Sequence, residues 1–135
     1  MKLNTEVLEK ALNQLEKTIR FCEKEPDAEK KIMLRTASIQ SFEYTYELAF
    51  KMLRRQLEQI ESAPEIERMN FRDLIRTGAE KGFIDEPQAW FDFREKRNLT
   101  SHAYDEPKAG EVYSALSDFA QRARFLIDQL KKYNK

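Results

Sequence analysis

The chain is poor in residues that break or bridge helices. Three glycines and four prolines in 135 residues leave little material for the many turns of a sandwich or barrel. A single cysteine, Cys22, excludes an intrachain disulfide and fits a reducing compartment. As a side chain it reads as a partly buried, inert thiol. No apolar run approaches the roughly 18 residues a membrane span needs. The first residues, MKLNTEVLEKAL, mix charges through their apolar positions, unlike a secretory signal. These traits lead us to expect a soluble cytoplasmic protein without membrane contact. Neither sign of charge is in excess, since 24 basic residues balance 24 acidic ones. That argues against coating nucleic acid by bulk charge, although a local basic patch remains open. The sequence also lacks a cluster of His, Cys and carboxylates of the transition-metal kind and a Gly-rich phosphate loop. No metal and no cofactor are expected.

What is present is helical periodicity. The length suits a single helical domain spanning 1–135, able to bury roughly two thirds of its unfolded surface. Val7, Leu8, Ala11, Leu12, Leu15 and Ile19 recur at helical spacing, predicting a helix from about Thr5 to Lys24, capped by Asn4 or Thr5. A long helix is predicted from about Asp27 to Ile60. Its stripe runs through Ile32, Thr36, Ile39, Phe42, Tyr46, Phe50 (or Ala49), Leu53 and Leu57, and widens between Ile39 and Leu53. Ser62, Ala63 and Pro64 read as a connection. Asn70 and Asp73 resemble a capping pair for a shorter helix that Gly82 stops. A fourth helix starts near Asp85, with Pro87 in its first turn, and carries on to about His102. Asp105 to Pro107 reads as a break. A last helix runs from about Lys108 to Lys132. Short connections between such segments imply an all-α, antiparallel up-and-down bundle of about five helices.

One stretch stands out: RNLTSHAY, Arg97 to Tyr104, which holds the only histidine. On a helix, Asn98 and His102 share one face and Arg97 and Ser101 the adjacent one. Arg97 and His102 lie roughly 140° apart around the axis, so one groove can hold both only by wrapping the helix end. The residue types suit phosphate chemistry. Histidine accepts or donates a proton near neutral pH. Arginine offers a fixed fork to a phosphate and to the charge that builds on it. Asn98 can orient either. RNA supplies its own nucleophile, the 2′-hydroxyl, so one base and one cation can suffice without a metal. The plainer alternative is that a lone histidine near a helix C-terminus serves as a cap or surface residue.

The order Arg97, Asn98, His102, Tyr104 resembles the R-x4-H-x-Y motif of HEPN domains. The chain is similar to bacterial HEPN proteins that accompany a minimal nucleotidyltransferase (MNT), also described as nucleotidyltransferase substrate-binding proteins. The likeness covers nearly the whole chain, including FEYTYELAFK (Phe42 to Lys51) and the acidic DEP turn after the motif. It implies a small all-α bundle and a metal-independent endoribonuclease with Arg97 and His102 catalytic and Asn98 supporting. It further implies a homodimer with both motifs facing a shared cleft. The neighbouring MNT protein would be the antitoxin, and would silence the nuclease by adenylylating Tyr104.

Other side chains carry two readings each. Glu43 and Glu47, one turn apart, can hold a nucleotidyltransferase substrate or a divalent cation, or can be solvated acids paired with Lys51 and Arg54. Ser101 is a further candidate substrate contact. Lys51, Arg54 and Arg55 can guide RNA or form a solvated face. Phe42, Tyr46 and Phe50 read as core or dimer contact rather than a base-stacking platform, and Trp90, Phe91 and Phe93 read as core. Two functional alternatives accompany the nuclease: a non-catalytic substrate-binding subunit of a two-component nucleotidyltransferase, and a structural dimer with a vestigial motif.

Overall fold

A computed structural model describes residues 2–135, and among them the chain is helical without strands. The helices are α1 (Glu6–Lys24), α2 (Ala28–Ile60), α3 (Ala63–Glu67), α4 (Phe71–Glu80), α5 (Pro87–Leu99), α6 (Glu106–Ser114) and α7 (Leu116–Tyr133). A 3₁₀ turn, Thr100–His102, joins α5 to α6. The short link after Lys24 folds α1 back along α2, and α7 packs against both. The shorter α4, α5 and α6 pack on the remaining flank of α2. This is the expected antiparallel bundle, with more breaks than the periodicity indicates.

Local chemistry explains the boundaries. Asp27 caps α2, accepting from the Lys30 amide at 2.9 Å, and Asn70 caps α4, accepting from the Asp73 amide at 2.8 Å. At the end of α4, Gly82 takes a φ of +89°. Its amide reaches the Ala79 carbonyl and the Phe83 amide reaches that of Gly78, a Schellman closure that a side-chained residue would strain. Ser62, with Pro64, opens α3 where a plain connection was expected; its hydroxyl accepts from the Glu65 amide at 3.3 Å.

Four expectations need correction. α5 ends at Leu99 instead of running to His102. The last helix starts at Glu106, because Asp105 caps it and Pro107 is tolerated in the first turn. That helix also breaks at Ala115, whose amide bonds the Val112 carbonyl in the tighter pattern, while Ser114 Oγ donates to the Glu111 carbonyl at 2.7 Å. Ile32 and Thr36 of the predicted α2 stripe are exposed, as is Val7 of α1.

The core runs through the bundle, from Leu8, Leu12 and Leu15 of α1 to Leu53 and Leu57 of α2 and to Ile127 and Leu130 of α7. At its centre Phe119 is fully buried. Phe42, Phe93 and Trp90 present their edges or faces to it at 4.9, 5.2 and 5.8 Å between centroids. These pairings are the offset and edge-on contacts that aromatic quadrupoles favour. Cys22 is buried as well. The aromatic nest fixes α5 against α2 and α7, and so fixes where the residues after Phe93 emerge.

Candidate functional site

Trp90 and Phe93 anchor the inner face of α5, which leaves Arg94, Arg97 and Asn98 pointing outward, away from the core. Arg97 turns towards α2. Its Nε donates to Glu47 Oε1 at 2.8 Å and its Nη1 lies 3.2 Å from Glu43 Oε2. Thr100 closes the cluster. Its Oγ1 lies 2.7 Å from the Arg97 carbonyl and 3.0 Å from Glu43 Oε2, and accepts from Arg97 Nη1 at 3.4 Å. One hydroxyl proton serves either acceptor, so the geometry couples the helix end to the carboxylates. The partner of Glu43 and Glu47 is therefore Arg97 across the helix interface, not Lys51 or Arg54 as the solvated-acid reading held. The Arg97 side chain keeps 29% of its surface, so the guanidinium is braced yet reachable.

His102 and Tyr104 are placed differently. Beyond Leu99 the chain tightens into the 3₁₀ turn, so the regular-helix stacking of Asn98 with His102, and of Arg97 with Ser101, does not apply. Ser101 and His102 are exposed. The Asp105 amide bonds the His102 carbonyl at 2.9 Å, which holds the link to α6 short. Arg35 grips the start of α6, its two terminal nitrogens 2.6 and 2.8 Å from the two Glu106 oxygens. Tyr104 stands on this link at 85% exposure, its ring 6.2 Å from that of His102. Among the described residues neither side chain has a hydrogen-bond partner.

Arg97 and Asn98 line a cleft of about 400 Å³ between α2, α4 and α5, with Tyr46, Phe50, Arg54, Phe71 and Arg94. Burial raises the Tyr46 hydroxyl well above its ordinary pKa, keeping it protonated. The sequence reading placed Arg54 in a basic cluster with Lys51 and Arg55 but gave no role to Thr100, Phe71 or Arg94. Thr100 lay inside the singled-out stretch, three residues after Arg97. Phe71 and Arg94 are far apart in sequence and meet only through packing of α4 on α5.

An all-α bundle carrying Arg97, Asn98, His102 and Tyr104 at a helix-to-helix seam defines a HEPN-type domain. The chain belongs to the family described as nucleotidyltransferase substrate binding protein like, whose model matches residues 3–132. A relative from Haemophilus influenzae named probable ribonuclease HepT is 36% identical over 98% of this chain and 95% of its own length. Among solved structures, HI0074 from Haemophilus influenzae superposes with a TM-score of 0.87 at 35% identity, covering 95% of this chain and 99% of that one. It is described as revealing the fold of a substrate binding domain of a nucleotidyltransferase. A protein from Thermus thermophilus superposes with a TM-score of 0.73 at 29% identity, over 91% of this chain and 98% of that one. No described helix is long and apolar enough to cross a membrane.

Proposed function

We propose that this chain is a metal-independent endoribonuclease, the toxin of a HEPN/MNT toxin–antitoxin pair, held in check by adenylylation of Tyr104. The observation that carries the reading is the arrangement of the motif. A braced but reachable guanidinium, Arg97, lies a few residues from an exposed imidazole with no competing partner. The relative named a probable ribonuclease supports the same activity.

In the proposed step, the 2′-oxygen of a ribose attacks the adjacent phosphorus and loses its proton, and the bond to the 5′-oxygen breaks. The products are a 2′,3′-cyclic phosphate and a 5′-hydroxyl. His102 takes the 2′-proton or delivers one to the departing 5′-oxygen. Arg97 stabilises the charge on the phosphorane oxygens, and Asn98 orients the phosphate. The chain holds one histidine, so the second transfer falls to solvent or to a second copy facing the same cleft in a homodimer.

Tyr104 is the switch. Its phenol oxygen attacks the α-phosphorus of ATP, pyrophosphate leaves, and the phenolic proton passes to solvent or to a base of the MNT partner. The added phosphodiester places a bulky negative group beside the motif and repels the RNA backbone. At 85% exposure the hydroxyl is open to another enzyme's active site.

Cleavage by the purified chain in EDTA, leaving cyclic phosphate ends, tests the nuclease. His102→Ala should lower the rate about a hundredfold or more with the fold intact by circular dichroism. Undiminished cleavage in that variant, or a need for divalent metal, rules the mechanism out. Co-expression with the MNT partner should yield chain heavier by one adenylate on Tyr104, read by peptide mass spectrometry. Tyr104→Phe should stay active and escape modification.

A second reading, a substrate-binding subunit of a two-component nucleotidyltransferase, draws on the description of HI0074. The Glu43–Glu47 pair on α2 favours it as carboxylates that can receive a substrate's hydroxyl or amine, with Ser101 a further contact. In that case the purified chain leaves RNA intact, and Glu43→Gln lowers transfer by the partner enzyme.

A further inference from the structure

The 400 Å³ cleft continues into a second recess of about 410 Å³ lined by Arg72, Phe91 and Glu95, with Asn70, Phe71, Arg94 and Asn98 shared between the two. The floor is aromatic. Phe50 and Phe71 are stacked at 5.4 Å and 27°, and Phe91 meets Phe71 edge-on at 6.2 Å. Guanidinium groups cover that floor. Arg94 lies 4.3 Å from the Phe71 centroid, Arg72 and Arg76 lie 4.4 and 5.7 Å from Phe91, and Arg54 lies 5.9 Å from Phe50.

Among the described residues none of these four arginines forms an ion pair, whereas Arg35, Arg97, Arg122 and Arg124 all do. Arg54 Nε is also buried without a hydrogen-bond partner. Of the two carboxylates lining the recesses, Glu47 is already bound to Arg97 and Glu95 remains. The molecule thus gathers unneutralised cations over a half-buried aromatic floor in one place, beside the motif.

That combination selects a ligand class. A small inorganic anion would use the guanidinium groups and leave the aromatic floor idle. An acidic peptide would supply carboxylates but a planar group only where its sequence happened to carry an aromatic side chain. A nucleotide brings both a flat base and a phosphate. We infer that the cleft docks a single-stranded nucleotide flanking the scissile phosphate, with its base stacked against Phe71 and Arg94 and its phosphate held by Arg94 and its neighbours. The choice of RNA as the polymer rests on the ribonuclease reading; the stacking and charge chemistry does not.

The test uses the full wild-type chain and a fluorescent single-stranded oligoribonucleotide whose 2′-oxygens are methylated, so that it cannot be cleaved. Phe71→Leu, which keeps apolar volume but removes the ring, should weaken binding about five- to a hundredfold. Arg94→Ala should weaken it and reduce the slope of log affinity against log salt by about 0.7. Arg94→Lys should recover the slope but not the full affinity, since lysine keeps the charge and loses the planar fork. Unchanged circular dichroism secures the fold of each variant.

Undiminished affinity in both Phe71→Leu and Arg94→Ala overturns the inference, and so does failure of the wild-type chain to bind the probe. Light scattering that shows Arg94→Ala dissociating a dimer assigns the cleft to a second copy and overturns it too. If cleavage requires His102 while binding ignores Arg94 and Phe71, this inference fails alone. If binding depends on both and no RNA is cut, the nuclease reading fails alone.

Discussion

Two groups of aromatic rings lie on the two sides of α5, and they keep different company. On the inner side Trp90 and Phe93 close on Phe42 and Phe119, sealed from water, with hydrocarbon and other rings as neighbours. On the outer side Phe71 and Phe91 group with Phe50 at the edge of the core, and arginines lie over their rings. Ring spacings are comparable in both, although the inner rings meet edge-on while Phe50 and Phe71 are stacked. What differs is what covers the last face, hydrocarbon and other rings on the inner side and guanidinium groups on the outer. The difference teaches that aromatic content by itself does not separate a core from a binding surface; the charge state of the neighbours does.

Stability measurements can break or sharpen that contrast. The largest effect should come from Phe119→Ala, which opens a void at the centre of the nest and should cost about 3–5 kcal/mol in urea unfolding. A loss below about 1 kcal/mol would mean that the nest is not the keystone of the bundle. Gly78→Ala should come next. A Cβ there would sit 3.0 Å from Ile84 Cγ1 and 3.2 Å from Leu53 Cδ1, both on buried side chains. Overpacking typically costs about 1–3 kcal/mol, against the roughly 1 kcal/mol that alanine gains in helix propensity. A net loss is expected, so a stabilised variant would show that α4 has room to move.

On the cleft side, Arg94→Ala should shift stability by no more than about 1 kcal/mol, the worth of an exposed cation–π contact. A loss as large as that of Phe119→Ala would erase the distinction between the two groups.

The smallest effect concerns pH. Arg35 bound to Glu106 and Lys131 bound to Glu9 each hold the carboxyl below its ordinary value of 4.5. Such groups contribute stability above the unfolded value and lose it as pH falls through the lower folded value. Thermal midpoints should therefore hold steady with pH near neutrality, where both pairs contribute in full, and drop as the pH falls below about 4.5. Glu106→Gln should shallow that fall slightly. A variant that instead changes the midpoint at pH 3 more than at pH 7 would contradict the sign.

Much of this was legible in the sequence because helices announce themselves locally. The caps at Asp27 and Asn70 and the stop at Gly82 follow from side-chain chemistry within a few residues. The motif was legible too, since it is contiguous from Arg97 to Tyr104. The end of α5 was not, because Leu99 and Thr100 carry no breaker; the turn is set by Thr100 bonding across to Glu43 and by the capped start of α6. The break at Ala115 likewise has no glycine or proline to mark it. Glu43 and Glu47 were visible as a pair one turn apart, but their partner lies some fifty residues away. Phe50 read as core because α2 looks apolar there, and only the docking of α4 shows it at the wall of a cleft.

The brace around Arg97 bears on how any genetic dissection of this site must be read. Replacing the arginine with alanine does more than subtract a cation. It leaves Glu43 and Glu47, one turn apart, without the group that lies against both, and an anionic substrate would then meet two bare negative charges. A dead Arg97→Ala protein is therefore ambiguous between a missing contact and a newly hostile surface. Adding Glu43→Gln and Glu47→Gln to the same chain separates them. Activity that stays lost belongs to the guanidinium; activity that partly returns was blocked by the acids, and the three positions would then vary as a single hereditary unit.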